Sequence, residues 1–482
     1  MSQQENSVKK IDPLEFLKRP RSENKKRDVC ERKIDFKEIY IGKEEAELTT
    51  QAARCLDCGN PYCEWRCPLH NYIPNWLEYV RTEKFEDAAA LMHETNPLPE
   101  ICGRVCPQDR LCEQACTLNT GFGAVNIGAI EKNISDRALK NNWRPDLSKR
   151  SMTDKKVAVV GAGPAGLGCA ELLARNGVKP VVFDRYPEIG GLLTFGIPGF
   201  KLEKSVIRKR RKFLEDIGVE FQLNTEVGKD ISEKQLKEDY DALFLGMGCY
   251  QSVTGKLPGA DAQGVLKALD FLIGNVNKQE SYAMDEFPFQ NLRDKKVVVL
   301  GGGDTAMDCV RSAIRQNCHS VTCIYRRDQE AMPGSPSEVK NAMEEGVNFE
   351  FNQQPLRIIV ESGKATGVEV ARTRLVEKEG SDRMSFEVDQ TDTSIIEADI
   401  VIMAFGFNPS PANWFNELGV TCDDRGLVKT TQPSTSNEVG IQQTEAEGIF
   451  AGGDMVRGAD LVVTAIAEGR QAAKEILEFL EV

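Results

Sequence analysis

The sequence has only three histidines, no long apolar run and no cluster that pairs a nucleophile with a base. His70, His93 and His319 are scattered, so we expect them to be structural, with no acid–base or nucleophilic catalysis by side chains. No segment approaches membrane-spanning length, and the opening residues lack the apolar core of a secretory signal. These absences predict a cytoplasmic protein that is not bound to a membrane. The net charge of −13 argues against general nucleic-acid binding.

Length and charge distribution add two expectations. A chain of 482 residues exceeds one ordinary hydrophobic core, which predicts about two to four domains. The one basic cluster, RKRRK at 208–212, lies in a stretch with helical apolar spacing. We interpret it as a solvated helix face.

Cysteine is concentrated near the front of the chain. In a reducing cytoplasm a disulfide framework is not expected. A single redox-active dithiol pair would leave six thiols unexplained. Zinc ribbons use paired C-x-x-C spacing, which only the first group contains. The run C-x2-C-x4-C-x3-C-P favours iron–sulfur chemistry, because such runs give their last cysteine to a second cluster. IPNWLEYV and FEDAAALMHE, between the groups, have helical periodicity. We predict a small helical domain with two 4Fe–4S clusters, with zinc as the alternative; the two groups are Cys55, Cys58, Cys63, Cys67 and Cys102, Cys106, Cys112, Cys116.

A glycine motif follows a polar connector at 141–156. KVAVVGAGPAGLGCAELLARNGVKPVVFDR is typical of a strand, a turn with Gly161, Gly163 and Gly166, a helix and a second strand. The glycines permit a tight turn and close approach of a pyrophosphate to the backbone. Asp184 ends the second strand, where a carboxylate can accept from a ribose hydroxyl. The context predicts a Rossmann-like dinucleotide site.

The same pattern recurs at an offset of 140 residues in KVVVLGGGDTAMDCVRSAIRQNCHSVTCIYRR. Gly303 takes a glycine position, and Ala306 is a permitted variant of the third glycine. Ile324 replaces the acidic residue at the end of the second strand, and Arg326 and Arg327 follow it. Loss of the carboxylate removes repulsion of a 2′-phosphate, and two guanidiniums can bind that group. The second site is therefore predicted to take NADP(H), the alternative being a pair of surface arginines.

The tail of the chain favours a flavin. IFAGGDMVRGADLVVTAIAEGRQAAKEILEFL, from 449, predicts a short strand, a Gly-Gly-Asp turn and a long helix beginning near Asp460. Asp454, after the turn, can hold a ribityl chain, and the positive end of the helix can face the N1/C2=O edge of an isoalloxazine. Two dinucleotide sites and this tail predict FAD in the first site and NADPH in the second. A simple strand-to-helix turn is the other interpretation.

Six stretches are together far more specific than any single fingerprint: AARCLDCGNPYCEWRCPLHNYIPNW, GRVCPQDRLCE, FDRYPEIGGLLTFGIPGFKLEK, GGGDTAMDCVR, YRRDQEAMPGS and AGGDMVRGADLVVTAIAEGR. In these stretches the chain resembles the small (β) subunits of bacterial NADPH-dependent glutamate synthases over nearly its whole length. The same core is shared by the N-terminal half of dihydropyrimidine dehydrogenase and by the large subunit of NADH-dependent ferredoxin:NADP oxidoreductases. The resemblance implies an α/β fold with two Rossmann-like domains, similar to flavin disulfide reductases, behind a helical iron–sulfur domain. The implied ranges are 1–145 for iron–sulfur, 146–290 and 405–482 for FAD, and 291–404 for NADPH.

The resemblance also implies cluster ligands. One cluster would take the first three cysteines and the last one; the other would take three cysteines and a non-cysteine ligand, a glutamine in the pyrimidine enzyme and Glu131 here. Cys102 would then be spare. An anionic carboxylate ligand should shift the potential of its cluster. The implied sets are Cys55, Cys58, Cys63, Cys116 and Cys67, Cys106, Cys112, Glu131.

The nucleotide contacts implied by the resemblance follow the motifs. For FAD they place Gly161, Gly163 and Gly166 at the pyrophosphate, Asp184 at the ribose, Gly191 and Leu192 along the cofactor, Asp454 at the ribityl chain, and Thr464 and Ala465 near the ring. For NADPH they place Gly303, Asp304 and Thr305 at the pyrophosphate and Arg326 and Arg327 at the 2′-phosphate. The strand-end sequence LGMGC at 245–249 departs from the ATG-like form of the family.

The implied activity is electron input. Hydride would pass from NADPH to FAD, and the clusters would carry electrons to an FMN-containing large subunit that makes L-glutamate from L-glutamine and 2-oxoglutarate. A ferredoxin- or sulfide-linked NADP oxidoreductase on the same scaffold is one alternative. A redox- or zinc-regulated module that binds nucleotides as signals is another.

Overall fold

The computed structural model describes residues 12, 14–376, 385–435 and 438–482. The front of the chain is a helical domain, as predicted, and the two periodic stretches between the cysteine groups form α5 and α6. Its core includes Trp76, Leu77, Met92 and Ile130, all essentially inaccessible to solvent. In chain order the helices are α1 Glu15–Lys18, α2 Val29–Arg32, α3 Glu45–Ala52, α4 Tyr62–Arg66, α5 Ile73–Arg81, α6 Phe85–Thr95, α7 Pro99–Val105 and α8 Ile127–Lys140, with a 3₁₀ turn at Thr117–Asn119.

The first dinucleotide unit is a seven-stranded sheet in the order β15-β16-β17-β4-β1-β2-β3. Val157–Val160 in β1 are buried throughout, as expected for a central parallel strand with helices on both faces. The strands are β1 Lys156–Val160, β2 Lys179–Asp184, β3 Glu220–Leu223, β4 Ala242–Leu245, β15 Thr430–Gln432, β16 Ile441–Thr444 and β17 Ile449–Ala451. The helices are α9 Pro164–Arg175, α10 Leu192–Phe195, α11 Lys204–Ile217, α12 Glu233–Asp239, α16 Asp454–Arg457 and α17 Val462–Phe479, with a 3₁₀ turn at Phe415–Leu418.

The second dinucleotide unit has a five-stranded parallel sheet in the order β6-β13-β7-β8-β9 and an antiparallel sheet β10-β11-β12. Its strands are β6 Val265–Lys267, β7 Lys296–Leu300, β8 Ser320–Tyr325, β9 Asn348–Phe351, β10 Gln353–Glu361, β11 Lys364–Val376, β12 Ser385–Glu397 and β13 Ile400–Met403. Its helices are α13 Ala268–Glu280, α14 Asp304–Arg315 and α15 Pro336–Glu344. No helix in the described ranges is both long and apolar enough to span a membrane.

The chain enters and leaves the second unit through one antiparallel ribbon, β5 Gln251–Ser252 with β14 Phe407–Asn408. Strand β6 pairs with β13, and α13 packs Phe271 and Leu272 into the core of the second unit. Residues 265–280, which the predicted ranges assign to the FAD domain, therefore pair and pack with the second unit, although α13 also packs Leu269 and Ile273 against Tyr186 of the first unit. The change of unit occurs at the ribbon and not at 290/291.

A buried ion pair joins the helical domain to the first unit. Arg210 of α11 donates from Nε and Nη2 to the two carboxylate oxygens of Glu100 at 2.8 and 2.5 Å, and the same Nη2 lies 3.1 Å from His93 Nε2. Burial and the neighbouring Arg210 lower the pKa of His93 well below its usual value. The expectation that RKRRK forms a solvated helix face is therefore wrong for Arg210, which lies in this interface.

Residues 26–41, the N-terminal strap, connect all three regions. Arg32 is fully buried and contacts Glu344 and Glu345 of the second unit, and Arg315 donates to the carbonyl of Asp35. On the other side, the amide of Ile39 donates to the carbonyl of Phe200 in the first unit. The strap also reaches the helical domain, because Arg104 of α7 pairs with Glu38.

Candidate functional site

The first set of cysteines lines one small pocket of the helical domain. Its four members, Cys55, Cys58, Cys63 and Cys116, are joined there by apolar side chains such as Leu77. Burial, together with the neighbouring thiols of the set, raises the pKa of Cys55 and of Cys63 to about 12. Bare thiolates are thus disfavoured here, so four sulfur donors that converge in an apolar pocket fit a cationic iron–sulfur core.

The second set lies deeper in the domain, around Cys67, Cys106 and Cys112. Burial raises the pKa of Cys67 to about 12 and that of Cys112 well above its usual value. Cys102, whose thiol donates to Asn96 Oδ1 at 3.7 Å, adjoins Cys106 and is the main reason that the pKa of Cys106 is raised, with burial second. Glu131 acts electrostatically on all three thiols. Both candidates for a fourth ligand therefore adjoin this set.

Glu131 is held by two amides. Asn96 Nδ2 and Asn71 Nδ2 donate to its Oε1 at 3.0 and 3.3 Å, while burial raises its pKa to about 8. No three His, Cys, Asp or Glu side chains among the described residues converge closely enough to hold a single metal ion. Each cysteine set therefore surrounds a space that is larger than a single metal ion.

The first glycine turn has the shape of a phosphate cradle. Gly161 has φ +106°, and a Cβ on Gly166 would lie 1.9 Å from the carbonyl oxygen of Gly161, so the third position has room for glycine alone. At Gly163, the residue before α9, a Cβ would meet nothing within 4 Å. Open space in front of a helix N-terminus fits a pyrophosphate.

Asp184 braces this turn from the end of β2. Its two carboxylate oxygens accept from the backbone amides of Ala162 and Tyr186 at 2.7 and 2.9 Å. Burial raises its pKa, which these bonds oppose. Gly191 lies on the other side of the turn, where a Cβ would approach Gly163 Cα to 3.1 Å. The predicted ribose residue and the predicted cofactor-lining glycine therefore both adjoin the turn.

The tail forms a second wall of the first unit. Gly453 has φ +79°, and its amide donates to the fully buried Glu468 of α17 at 2.7 Å, while Arg457 pairs with the same carboxylate at 2.8 Å. Burial raises the pKa of Asp454 to about 7. Glu468 was missed by the sequence analysis because AIAEGR resembles an ordinary helix segment.

The second glycine turn repeats the first. A Cβ at Gly303 would meet nothing within 4 Å, whereas Gly301, with φ +142°, is packed against the carbonyl of Ala404. Ala306 is accommodated and fully buried. The Asp304 carboxylate accepts from the amide of Ser335 at 2.9 Å, so it fixes the neighbouring 333–335 loop. The open position again fits a phosphate group.

Arg326 and Arg327 follow β8 as predicted. Their guanidiniums lie 4.8 and 6.0 Å from the ring centroid of Phe386. Neither forms an ion pair with a carboxylate of the described ranges, and the Nε of Arg327 is buried without a hydrogen-bond partner. An exposed Arg326 beside a half-buried Arg327, neither of them in an ion pair within the described ranges, fits an anionic group such as a 2′-phosphate.

Arg110, between two cysteines of the second set, contacts the second glycine turn through the 333–335 loop. Its guanidinium donates to the carbonyls of Pro333 and Gly334, both at 2.9 Å. The amide of Gly334 in turn donates to Gly302 O at 3.0 Å. Sequence reasoning missed Arg110, and its only signal was its place inside the cysteine group.

A central cavity of about 590 Å³ brings the predicted sites together. Its walls come from the helical domain and from both dinucleotide units. Lys201 crosses it to pair with Asp308 of α14 at 2.9 Å. Thr464 faces a different pocket and Ala465 is buried, while the predicted residues that line the central cavity are Leu192, Asp454, Asp304, Thr305 and Cys106.

Comparison with known proteins identifies the families to which two parts of the chain are similar. Residues 32–143 match the family described as dihydropyrimidine dehydrogenase domain II, 4Fe-4S cluster, and residues 155–469 match the pyridine nucleotide-disulphide oxidoreductase family. In solved structures, FprA of Mycobacterium tuberculosis in complex with NADPH is similar with a TM-score of 0.56 at 18% identity, over 68% of this chain and 85% of that chain. That likeness concerns the fold alone.

Relatives by sequence are much closer. The glutamate synthase (NADPH) small chain of Halomonas elongata is 56% identical over 97% of this chain and 98% of its own length, and that of Escherichia coli is 55% identical over 97% and 99%. The E. coli oxidoreductase AegA is 52% identical over 96% of this chain and 70% of its own length. The chain therefore belongs to the family of glutamate synthase (NADPH) small chains, which join a 4Fe–4S domain to a pyridine nucleotide-disulphide oxidoreductase domain.

Proposed function

We propose that this chain is the electron-input subunit of a cytoplasmic glutamate synthase. It oxidises NADPH and supplies electrons to an FMN-containing large subunit that forms L-glutamate from L-glutamine and 2-oxoglutarate. The observation that carries this proposal is the central cavity, because Asp454, Asp304 and Cys106 line one space. A shared cavity is what we expect if electrons pass between the flavin, nicotinamide and iron–sulfur sites to which these residues are assigned.

The first unit would hold FAD and the second NADPH. Gly161, Gly163 and Gly166 shape the first turn, Asp184 braces it beside Gly191, and Leu192 and Asp454 face the cavity. Thr464 and Ala465 are assigned to the ring by resemblance. When bound, FAD supplies a two-electron acceptor and the clusters supply one-electron carriers. NADPH would bind over Gly303, Asp304 and Thr305, with its 2′-phosphate between Arg326 and Arg327.

Two 4Fe–4S clusters would occupy the two cysteine sets. The first would be bound by Cys55, Cys58, Cys63 and Cys116, which share one pocket. The second would be bound by Cys67, Cys106 and Cys112 with Glu131 as the fourth ligand. The bonds from Asn71 and Asn96 keep one face of the Glu131 carboxylate occupied and orient it.

The choice of Glu131 can be tested against Cys102. Glu131→Ala and Cys102→Ala are compared by iron content and by the EPR signal of the reduced protein. Loss of one cluster in the glutamate variant is expected. Loss in the cysteine variant alone would assign the site to Cys102.

The function is tested with the anaerobically purified chain, NADPH, glutamine and 2-oxoglutarate, with and without a glutamate synthase large subunit. Glutamate that forms only when both chains are present is the expected result. Reduction of artificial dyes without any glutamate formation would retain the NADPH and flavin sites but contradict the partner.

A ferredoxin- or sulfide-linked NADP oxidoreductase remains the second candidate, because AegA shows the same scaffold inside a longer oxidoreductase. Coverage of 98–99% of the small chains, against 70% of AegA, favours the first proposal. Ferredoxin-dependent reduction of NADP⁺ would favour the second.

A further inference from the structure

One face of helix α14, which opens the second unit behind its glycine turn, is charged. Its members recur at helical spacing and are Asp304, Asp308, Arg311 and Arg315. The two arginines have partners within their own unit, because both pair with the buried Glu345, at 2.9 and 2.7 Å. Within α14, all of which the structure describes, neither aspartate forms an ion pair with an arginine. Any cation that offsets the aspartates must therefore come from another element.

A loop of the first unit supplies that cation. Phe200 is buried, and the guanidiniums of Arg311 and Arg315 lie 4.3 and 4.0 Å from its ring centroid. These contacts hold the loop against α14 and place the next residue, Lys201, beside Asp308, with 2.9 Å between Nζ and Oδ1. Lys201 is the one cation of the described ranges that pairs with Asp308.

The lysine offsets an accumulation of negative charge. Burial opposes its charged form, but Asp308 and, less strongly, Glu338 and Asp304 raise the pKa of Lys201, so that it is cationic. Burial raises the pKa of Asp308 to about 6, and Lys201 opposes that rise. Asp304 accepts from the amide of Ser335 and forms no ion pair in the described part of the chain. Without Lys201, both aspartates would lack a cationic partner there.

This negative charge lies where a nucleotide would bind. Asp304 is the first residue of α14 and follows Gly303, whose open position fits a phosphate group. The positive end of a helix attracts anions, so a carboxylate at this end competes with a phosphate for the same amides. Asp304, Asp308 and Lys201 all line the central cavity. A pyrophosphate at the second glycine turn would therefore feel both the aspartates and the lysine.

We propose that Lys201, a residue of the first unit, is a positioning residue for the nucleotide of the second. By neutralising Asp308, it allows a dianionic pyrophosphate to settle over Gly303. The inference rests on the proposed function, because it assigns the lysine a role in the binding of NADPH. The pyrophosphate is common to NADPH and NADH, so Lys201 acts on both nucleotides, whereas Arg326 and Arg327 act on NADPH alone.

The test uses the holoprotein with Lys201→Met, which removes the charge but keeps most of the side chain, and the double variant Lys201→Met/Asp308→Asn. Lys201→Arg is the conservative variant, and Lys209→Met, which alters an exposed lysine of α11, is the matched control. Iron and flavin content are measured in each protein. The dissociation constant of NADP⁺ is then measured by equilibrium titration, which requires neither turnover nor the large chain. The KM values for NADPH and NADH are measured with an artificial dye as the acceptor.

We expect the dissociation constant of NADP⁺ and both KM values to rise about tenfold or more in Lys201→Met, because the uncompensated charge repels the pyrophosphate. The double variant should return to within about twofold of the parent, since Asp308→Asn removes that charge. Lys201→Arg and Lys209→Met should also stay within about twofold. A lysine that merely tied the two units together would behave differently, because the second substitution does not restore the tie.

Unchanged nucleotide affinity in Lys201→Met would overturn the inference, whether or not flavin or iron is lost. An affinity loss that the double variant does not restore, or one confined to NADPH, would overturn it as well. In each of these cases the proposed function would stand, because the parent still binds the nucleotide. A parent protein that binds no NADP⁺ would instead overturn the proposed function, and the role of Lys201 with it.

Discussion

The two dinucleotide units start from the same turn and are adapted differently. In the first, the turn is braced from within its own unit, since Asp184 accepts from Ala162 and the tail packs behind it. In the second, the brace comes from another domain, because Arg110 holds the 333–335 loop against Gly302. This difference is what we would expect if the first site held a resident group. The second, with its unpaired arginines, is built for a ligand that comes and goes.

The largest difference should appear at the third position of each motif. Gly166→Ala would place a Cβ 1.9 Å from the Gly161 carbonyl, so we expect a loss of about 3 kcal/mol or more in stability and at least a tenfold fall in bound FAD. The matched change Ala306→Gly should cost only about 0.5–1 kcal/mol, as for glycine in a helix, and leave the FAD content unchanged. Flavin absorbance and urea unfolding of both variants measure this. Equal losses of stability and of bound FAD in the two variants would contradict the expected difference between the two turns.

The arginine pair distinguishes the two sites by charge. Removing either guanidinium, in Arg326→Ala or Arg327→Ala, removes a charge-assisted bond of about 1.5–3 kcal/mol, so NADPH should bind roughly ten- to a hundredfold more weakly. NADH, which lacks the 2′-phosphate, should be unaffected. Steady-state KM values for the two nucleotides provide the measurement, with Arg357→Ala, an exposed arginine of the same unit, as the control. Equal loss with both nucleotides would assign these arginines another role.

The brace supplied by Arg110 should have a smaller effect. Arg110→Ala removes two hydrogen bonds of about 0.5–1.5 kcal/mol each. Because these bonds hold the 333–335 loop and not the nucleotide, only part of this free energy should appear in binding, and the KM for NADPH should rise roughly three- to tenfold with kcat nearly unchanged. Arg110→Lys should restore part of this affinity. Iron content is measured in parallel, because a variant that loses iron without a change in KM would show that Arg110 serves the cluster and not the nucleotide.

The last prediction concerns the dependence of stability on pH. Because burial raises the pKa of Asp454 to about 7, above the unfolded value of about 3.9, its contribution to stability is full below about pH 4 and is lost as the pH rises through 7. Asp454→Asn removes this dependence. In flavin-free protein the variant should therefore gain about 2.5 kcal/mol relative to the parent between pH 5 and 8, seen as a shift of the urea midpoint. A difference in unfolding free energy between the variant and the parent that stays constant across this pH range would contradict the burial of the Asp454 carboxyl.

The sequence predicted those features that depend on residues close together in the chain. Glycine spacing after an apolar strand predicted both turns because the steric limits of such a turn lie within a few residues. Asp184 ends the second strand, as the sequence predicted, and the bonds that its carboxylate makes in the structure are to the amides of Ala162 and Tyr186. Its oxygens can accept further bonds, so the ribose contact stays a prediction.

Features that depend on remote partners were not predictable. Arg210 lies in a basic run with ordinary amphipathic spacing, and only the approach of Glu100 from another domain explains its burial. The cavity is another example, since its walls are separated by hundreds of residues in the chain. The fourth ligand of the second cysteine set depends on side-chain placement as well, because Cys102 and Glu131 both adjoin that set.

Because the N-terminal strap contacts all three regions, they are not independent modules. Arg32 and Glu38 connect this short segment to partners on opposite sides of the molecule. A fragment that begins at the first glycine motif would keep both nucleotide folds but leave Glu344 without Arg32 and Lys26, its two cationic partners. The three regions can be distinguished in the sequence, yet they could be exchanged with those of a related protein only all together.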